Sequence, residues 1–157
     1  MNVVVCVKQI PDPANPGKLD PTSKTLVREG KLILDESDSY GVEMALQLRD
    51  AAGSGEVVLV SMAPNSEVSG LRTGLAMGAD KAVLVSDPAC AGSDSLGTSK
   101  ALAAAIGRVQ ADLILTATES TDGYTGTVPA QVGEFLGLPA ITFAKPVTVD
   151  GRKVLVD

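Results

Sequence analysis

An open, mostly parallel α/β sheet covered by helices on both faces is the fold this sequence predicts, and three observations predict it. Short β-branched or aliphatic runs recur at residues 3–7 (Val-Val-Val-Cys-Val), 56–62, 81–86 and 113–115. Near-continuous apolar runs of this kind suit strands buried on both faces. Between them lie stretches with apolar residues at helical spacing, so strands and helices alternate at the lengths of right-handed βαβ units. A chain of 157 residues is one domain's worth.

Each element has its own signal. Residues 3–7 form the first strand, and Lys8 to Asp12, with Pro11, end it. Residues 11–21 hold four prolines and Gly17, which reads as an irregular excursion. Residues 25–28 and 31–34 flank Glu29-Gly30, a hairpin signal less specific than Asn-Gly or Asp-Gly. The cluster at Asp35, Glu36, Ser37, Asp38 and Ser39 offers several N-caps and suits the helix dipole. Val42, Met44, Ala45, Leu48 and Ala52 then mark a helical face that Gly53 stops. A second strand covers 56–62, and Pro64 to Glu67 start a helix carrying Val68, Leu71, Leu75 and Ala76. A third strand covers 81–86, and Asp94 or Ser95 caps a helix through Leu102, Ile106 and Val109. Late strands are expected at 140–144, 147–149 and 153–156, with Asp150-Gly151 as a strong hairpin turn.

Composition narrows the function. Hydrophobic residues are 45% and aromatics 3%, so the core is aliphatic. A net charge of −6 argues against nucleic acid or an anionic membrane as the main partner. No apolar run approaches bilayer-spanning length. The N-terminus lacks a basic n-region and enters a strand directly, so a cytoplasmic protein is expected. The absence of histidine removes the usual general base and the commonest metal ligand. Cys6, inside an apolar run, reads as a small core residue. Neither GxGxxG after the first strand nor GxxxxGK[ST] is present, so the dinucleotide fingerprint and the P-loop are both missing. A binding or carrier protein fits better than a hydrolase.

The most informative stretch runs from Ala111 to Gly137. A short strand, Leu113-Ile114-Leu115, leads into small polar residues 116–125 and then a helix start. Thr125 or Thr127 is the N-cap, Pro129 sits in the first turn, and Gly137 closes the helix. This order places backbone N–H groups and a positive dipole end beyond a strand's C-terminal edge, where an anion fits. Gly123 and Gly126 permit close backbone approach. An ordinary surface connection has the same local pattern.

Four stretches in register resemble the beta subunit of electron-transfer flavoproteins. These are residues 5–12 (Val-Cys-Val-Lys-Gln-Ile-Pro-Asp), Leu34-Asp35-Glu36 with residues 41–46 (Gly-Val-Glu-Met-Ala-Leu), residues 74–80 (Gly-Leu-Ala-Met-Gly-Ala-Asp), and residues 119–123 (Glu-Ser-Thr-Asp-Gly). The resemblance implies a Rossmann-like fold of the adenine-nucleotide hydrolase-like type, a structural AMP, and an alpha-subunit partner that carries the redox-active FAD. It implies electrons arriving from flavin dehydrogenases and leaving to a quinone oxidoreductase or other acceptor, with this subunit a carrier component and not itself an enzyme. By the same resemblance Cys6 lies against the adenine, Asp35, Glu36, Ser37, Asp38 and Met62 line the nucleotide, and Ala117, Thr118, Glu119, Ser120, Thr121, Asp122, Gly123, Tyr124 and Thr125 form its loop. Gly126, Thr127 and Val128 are where N–H groups meet phosphate. Asp122 is expected to meet a ribose hydroxyl, because two anions repel.

Two departures bear on the ligand. Asp35-Glu36 stands where many relatives have Asn-Pro, and Asp122-Gly123-Tyr124-Thr125 where bifurcating relatives, with FAD in place of AMP, have Asp-Gly-Asp-Thr. Against the family, the chain also lacks a C-terminal portion, so exposed apolar surface and self-association are expected of a shortened chain. The other readings are a free-standing adenine-nucleotide-binding module of the universal-stress type and an enzyme cleaving the α-phosphate of ATP.

Overall fold

A computed structural model describes residues 1–151 and 153–156. Four parallel strands build the main sheet: β1 (Val3–Cys6), β4 (Val57–Ala63), β5 (Lys81–Ser86) and β6 (Leu113–Thr116). Their order is β5-β4-β1-β6, with Val3 opposite Val57 on one side and Leu113 on the other. The chain fills the sheet outward from β1 in one direction, then crosses back to lay β6 on the other side of β1. The strand order therefore reverses between β1 and β6, where a crevice opens beyond the carboxyl ends of the strands.

Alternation along the strands divides the core in two. Val3, Val5, Val57 and Leu59 face Val42, Ala45 and Leu46 of α1 (Glu36–Ala51) and Leu71 of α2 (Ser69–Met77). Val4, Cys6, Val58 and Val60 face Leu102 and Ile106 of α3 (Ser95–Ile106) and Val132 of α4 (Val128–Leu136). Burying each such valine or leucine contributes about 1.5–3 kcal/mol. The doubly covered parallel sheet expected from the apolar runs is the one observed. Gly137 closes α4 in the left-handed conformation with φ 65°, as its place after the last apolar residue predicts. Asp150-Gly151 turns the antiparallel hairpin of β7 (Val147–Asp150) and β8 (Lys153–Val156).

Three expectations are corrected. Residues 25–28 and 31–34 do not pair. Instead β3 (Leu32–Leu34) pairs antiparallel with β2 (Gln9–Pro11), and Leu26 bridges Leu19. That pairing buries Ile10, Leu32 and Leu34, which a local hairpin at Glu29-Gly30 would not accomplish. The second helix starts at Ser69 rather than at 64–67, because its first amides find partners there. Glu67 Oε1 accepts the Ser69 N–H at 2.7 Å, and the buried Gln9 accepts the Gly70 N–H at 2.9 Å. Residues 140–144 form no strand: Ile141 and Phe143 are 63% and 82% exposed, and Phe143 takes φ 59°, so the run has no sheet edge to join.

Gly70 allows α2 to sit on the β2–β3 pair. A Cβ there would lie 2.8 Å from Gln9 Cγ and 2.9 Å from the Leu34 backbone nitrogen. Gly70→Ala is expected to destabilise the protein by roughly 1–3 kcal/mol through overpacking. The gain in helix propensity is small in a first turn. Urea unfolding measures it, and an unchanged or raised midpoint would remove the close-approach argument.

Candidate functional site

At the reversal between β1 and β6 lies a cavity of about 340 Å³. Its floor is the strand ends, with Cys6, Met62 and Thr116. One wall is the turn before α3 and its first residues, Asp94, Ser95 and Thr98. The other is the loop after β6 and the start of α4, with Gly126, Val128 and Pro129. Lys8 and Arg28 form a cationic rim, and the buried Asp38 lines the cavity beside them.

The start of α4 at this cavity differs from the starts of α1 and α3. Asp35 caps α1 and Asp94 caps α3 through side-chain bonds to Ser37 N–H and Gly97 N–H. Thr127 makes no such bond for α4. Among the described residues, the amides of Gly126, Thr127 and Val128 donate to no protein acceptor. Gly126 holds φ 63°, the conformation that turns the chain into α4. Three free donors and a helix dipole at a cavity wall suit an anion.

The loop is tied to α1 by Asp35, which is fully buried. Its Oδ1 accepts from Ser37 N–H (3.1 Å) and Ser37 Oγ (2.7 Å), and its Oδ2 from Thr121 N–H (2.8 Å) and Thr121 Oγ1 (3.0 Å). Asp122 is held in turn: Lys8 Nζ lies 2.5 Å from Oδ1 and Arg28 Nη2 2.7 Å from Oδ2, with its side chain 6% exposed. Burial works against its charge, but the hydrogen bonds and charges of Lys8 and Arg28 outweigh that and hold the carboxyl below the usual carboxylate range. Asp38 differs. Burial, with the charges of Asp35 and Asp122, pushes its carboxyl up to about 7, against the opposing Lys8 N–H and ammonium. Burial and Asp38 push the Cys6 thiol up to about 12, so Cys6 is a protonated floor residue and no nucleophile.

Of the residues named from sequence, Cys6, Asp38, Met62, Ala117, Glu119 and Ser120 line the cavity. So do Gly123, Thr125, Gly126 and Val128. Asp35, Ser37 and Thr121 instead form the buried tie between α1 and the loop. Asp122 lies off the lining and holds the loop to Lys8 and Arg28, one cation on each oxygen. Glu36, Thr118, Tyr124 and Thr127 are off the lining. Sequence reasoning missed Lys8, Arg28 and the turn at 90–95. Lys8 had a signal, since it lies just past the first strand. Arg28 had none, because only the path of the excursion brings it back against Asp122, 94 residues away in sequence.

The family model described as "Electron transfer flavoprotein domain" matches residues 23–157. The electron transfer flavoprotein subunit beta of Thermoanaerobacterium thermosaccharolyticum is 40% identical over 158 residues, covering 100% of this chain and 60% of that protein. The corresponding subunit of Megasphaera elsdenii is 43% identical over 164 residues, covering 99% and 60%. The caffeyl-CoA reductase-Etf complex subunit CarD of Acetobacterium woodii is 39% identical over 158 residues, covering 99% and 60%. The chain spans about 60% of the length of these curated relatives. With a family model matching residues 23–157 and relatives about 40% identical over nearly all of its own length, the chain belongs to the electron transfer flavoprotein domain family.

Proposed function

We propose that this chain is the nucleotide-binding part of an electron transfer flavoprotein beta subunit, with AMP as its structural ligand. The observation that carries the reading is the set of free Gly126, Thr127 and Val128 amides beside the cavity. The residues present fit the ligand: an apolar floor at Cys6 and Met62 suits a flat base, and the start of α4 suits a phosphate. An alpha subunit would carry FAD, which supplies the one- and two-electron chemistry. This chain's residues bind and orient, and flavin dehydrogenases and a quinone oxidoreductase or other acceptor are the donor and acceptor classes. The relatives' designation as beta subunits supports an alpha-subunit partner, and the exposed Ile141 and Phe143 offer apolar surface for one.

A second reading, FAD in this cavity as in a bifurcating assembly, draws support from the similarity to the caffeyl-CoA reductase-Etf complex subunit. Mass spectrometry of nucleotide released from the purified protein separates the two. AMP in a one-to-one ratio is the expected result. FAD would favour the second reading and ATP a regulatory module. Protein that releases no nucleotide and gives no heat on titration with AMP would overturn the proposal.

A further inference from the structure

This inference rests on the nucleotide reading and assigns one residue its role. We propose that Asp38 reads the ligand's base: as a neutral carboxylic acid it donates a hydrogen bond from Oδ1 to a ring-nitrogen acceptor of a heteroaromatic base lying on the Cys6–Met62 floor.

The geometry carries it. Asp38 sits in the first turn of α1, is 5% exposed, and lines the cavity. Its Oδ2 accepts the Lys8 backbone N–H at 2.6 Å. Among the described residues Oδ1 has no protein partner, so it is the oxygen left for a ligand. The charged and titratable neighbours come from every element packed around it. Cys6 comes from β1, Lys8 from the β1–β2 link, Asp35 from the cap of α1, and Asp122 from the loop after β6 with Arg28 behind it.

Three carboxylates thus share two cations. Both cations lie on Asp122, at 2.5 and 2.7 Å. Asp35 has no cation but receives four hydrogen bonds. Asp38 receives one. It is the least supported anion of the three, and the one for which protonation relieves the most repulsion. Its carboxyl, pushed up to about 7 by burial and by Asp35 and Asp122, agrees. The Lys8 N–H needs a lone pair on Oδ2, which leaves the proton on Oδ1, the oxygen without a protein partner. A neutral acid has one O–H to give and an ionised one has none. An ionised Oδ1 would also face the lone pair of a ring nitrogen. The base therefore selects the protonated form, and binding above neutral pH takes up a proton.

The test is calorimetric titration of AMP into wild type and Asp38→Asn at pH 6 and pH 8. Asparagine keeps an oxygen for the Lys8 N–H and puts an N–H where the acid has its O–H, and it does not titrate. Wild-type affinity is expected to fall about tenfold from pH 6 to pH 8, as the protonated fraction drops from about nine-tenths to about one-tenth. The variant lacks this fall. The phosphate of AMP, which titrates near pH 6, acts on both proteins alike and cancels in their ratio. Parallel pH curves would overturn the assignment while leaving the nucleotide reading intact. No binding of AMP to wild type at either pH would overturn both. Should the variant misfold, wild type alone decides. Titration at pH 8 in two buffers of different ionisation enthalpy should show uptake of close to one proton per AMP bound, and zero uptake sinks the proposal.

Discussion

Asp35→Ala is expected to destabilise the protein by on the order of 2–4 kcal/mol and to free the loop at 117–127. Four hydrogen bonds converge on this fully buried carboxylate. Two of the donors are backbone amides, Ser37 N–H and Thr121 N–H, which have no other acceptor among the described residues. Loss of an N-cap costs about 1 kcal/mol. Leaving a buried donor without a partner costs about 1–3 kcal/mol more, and the two hydroxyls can turn to other acceptors. Asp35→Asn should cost less, about 2 kcal/mol, since its oxygen still serves Ser37 while its amide nitrogen confronts the Thr121 N–H. Denaturant unfolding of both variants measures the loss, and hydrogen exchange at Thr121 reads the loop. A loss under about 1 kcal/mol for the alanine variant, with Thr121 still protected, would mean that the tie is not what holds the loop.

Asp35 also marks the limit of what local sequence reveals. Its position before an amphipathic run identifies it as a helix cap, and the structure has it so. That its second oxygen crosses to Thr121, 86 residues on, has no local signature. Strands buried on both faces were legible because a parallel sheet demands apolar residues at every position of Val3–Cys6 and Val57–Val60, not at alternate ones. The strand, loop and helix from Leu113 to Gly137 were legible because proline, glycine and apolar spacing each mark a boundary. Sheet partnership at residues 9–11 and 32–34 was not. The nearer pairing satisfies the local pattern, and only the burial of Ile10, Leu32 and Leu34 decides against it. Arg28 was illegible for the same reason, and Lys8 showed only by its place past the first strand. Lys8 and Arg28 meet because a buried aspartate needs them, and that need arises only once the loop is folded back.

Gly126→Val should weaken AMP by on the order of a hundredfold. The cause is backbone conformation rather than crowding. Gly126 holds φ 63°, while a Cβ built there would meet only Glu119 Oε2, at 3.5 Å. Valine in the left-handed region carries a strain of about 1–3 kcal/mol. If the loop keeps its shape, that strain is a loss of stability and affinity survives. The loop after β6 has no sheet pairing to hold it there, so the strain is relieved by rotating the backbone, and the free Gly126, Thr127 and Val128 amides are reoriented with it. Two charge-assisted hydrogen bonds lost at about 1.5 kcal/mol each amount to about two factors of ten. Thr127→Ala is the matched control: its hydroxyl caps nothing, so the amides stay in place and affinity should change by no more than about fivefold, one hydroxyl bond at most. Calorimetric titration of AMP into the two variants, each checked for cooperative unfolding, decides the matter. Equal affinities in Gly126→Val and wild type would show that the phosphate does not sit on these amides, because a ligand held elsewhere in the cavity has no reason to sense a turn at Gly126.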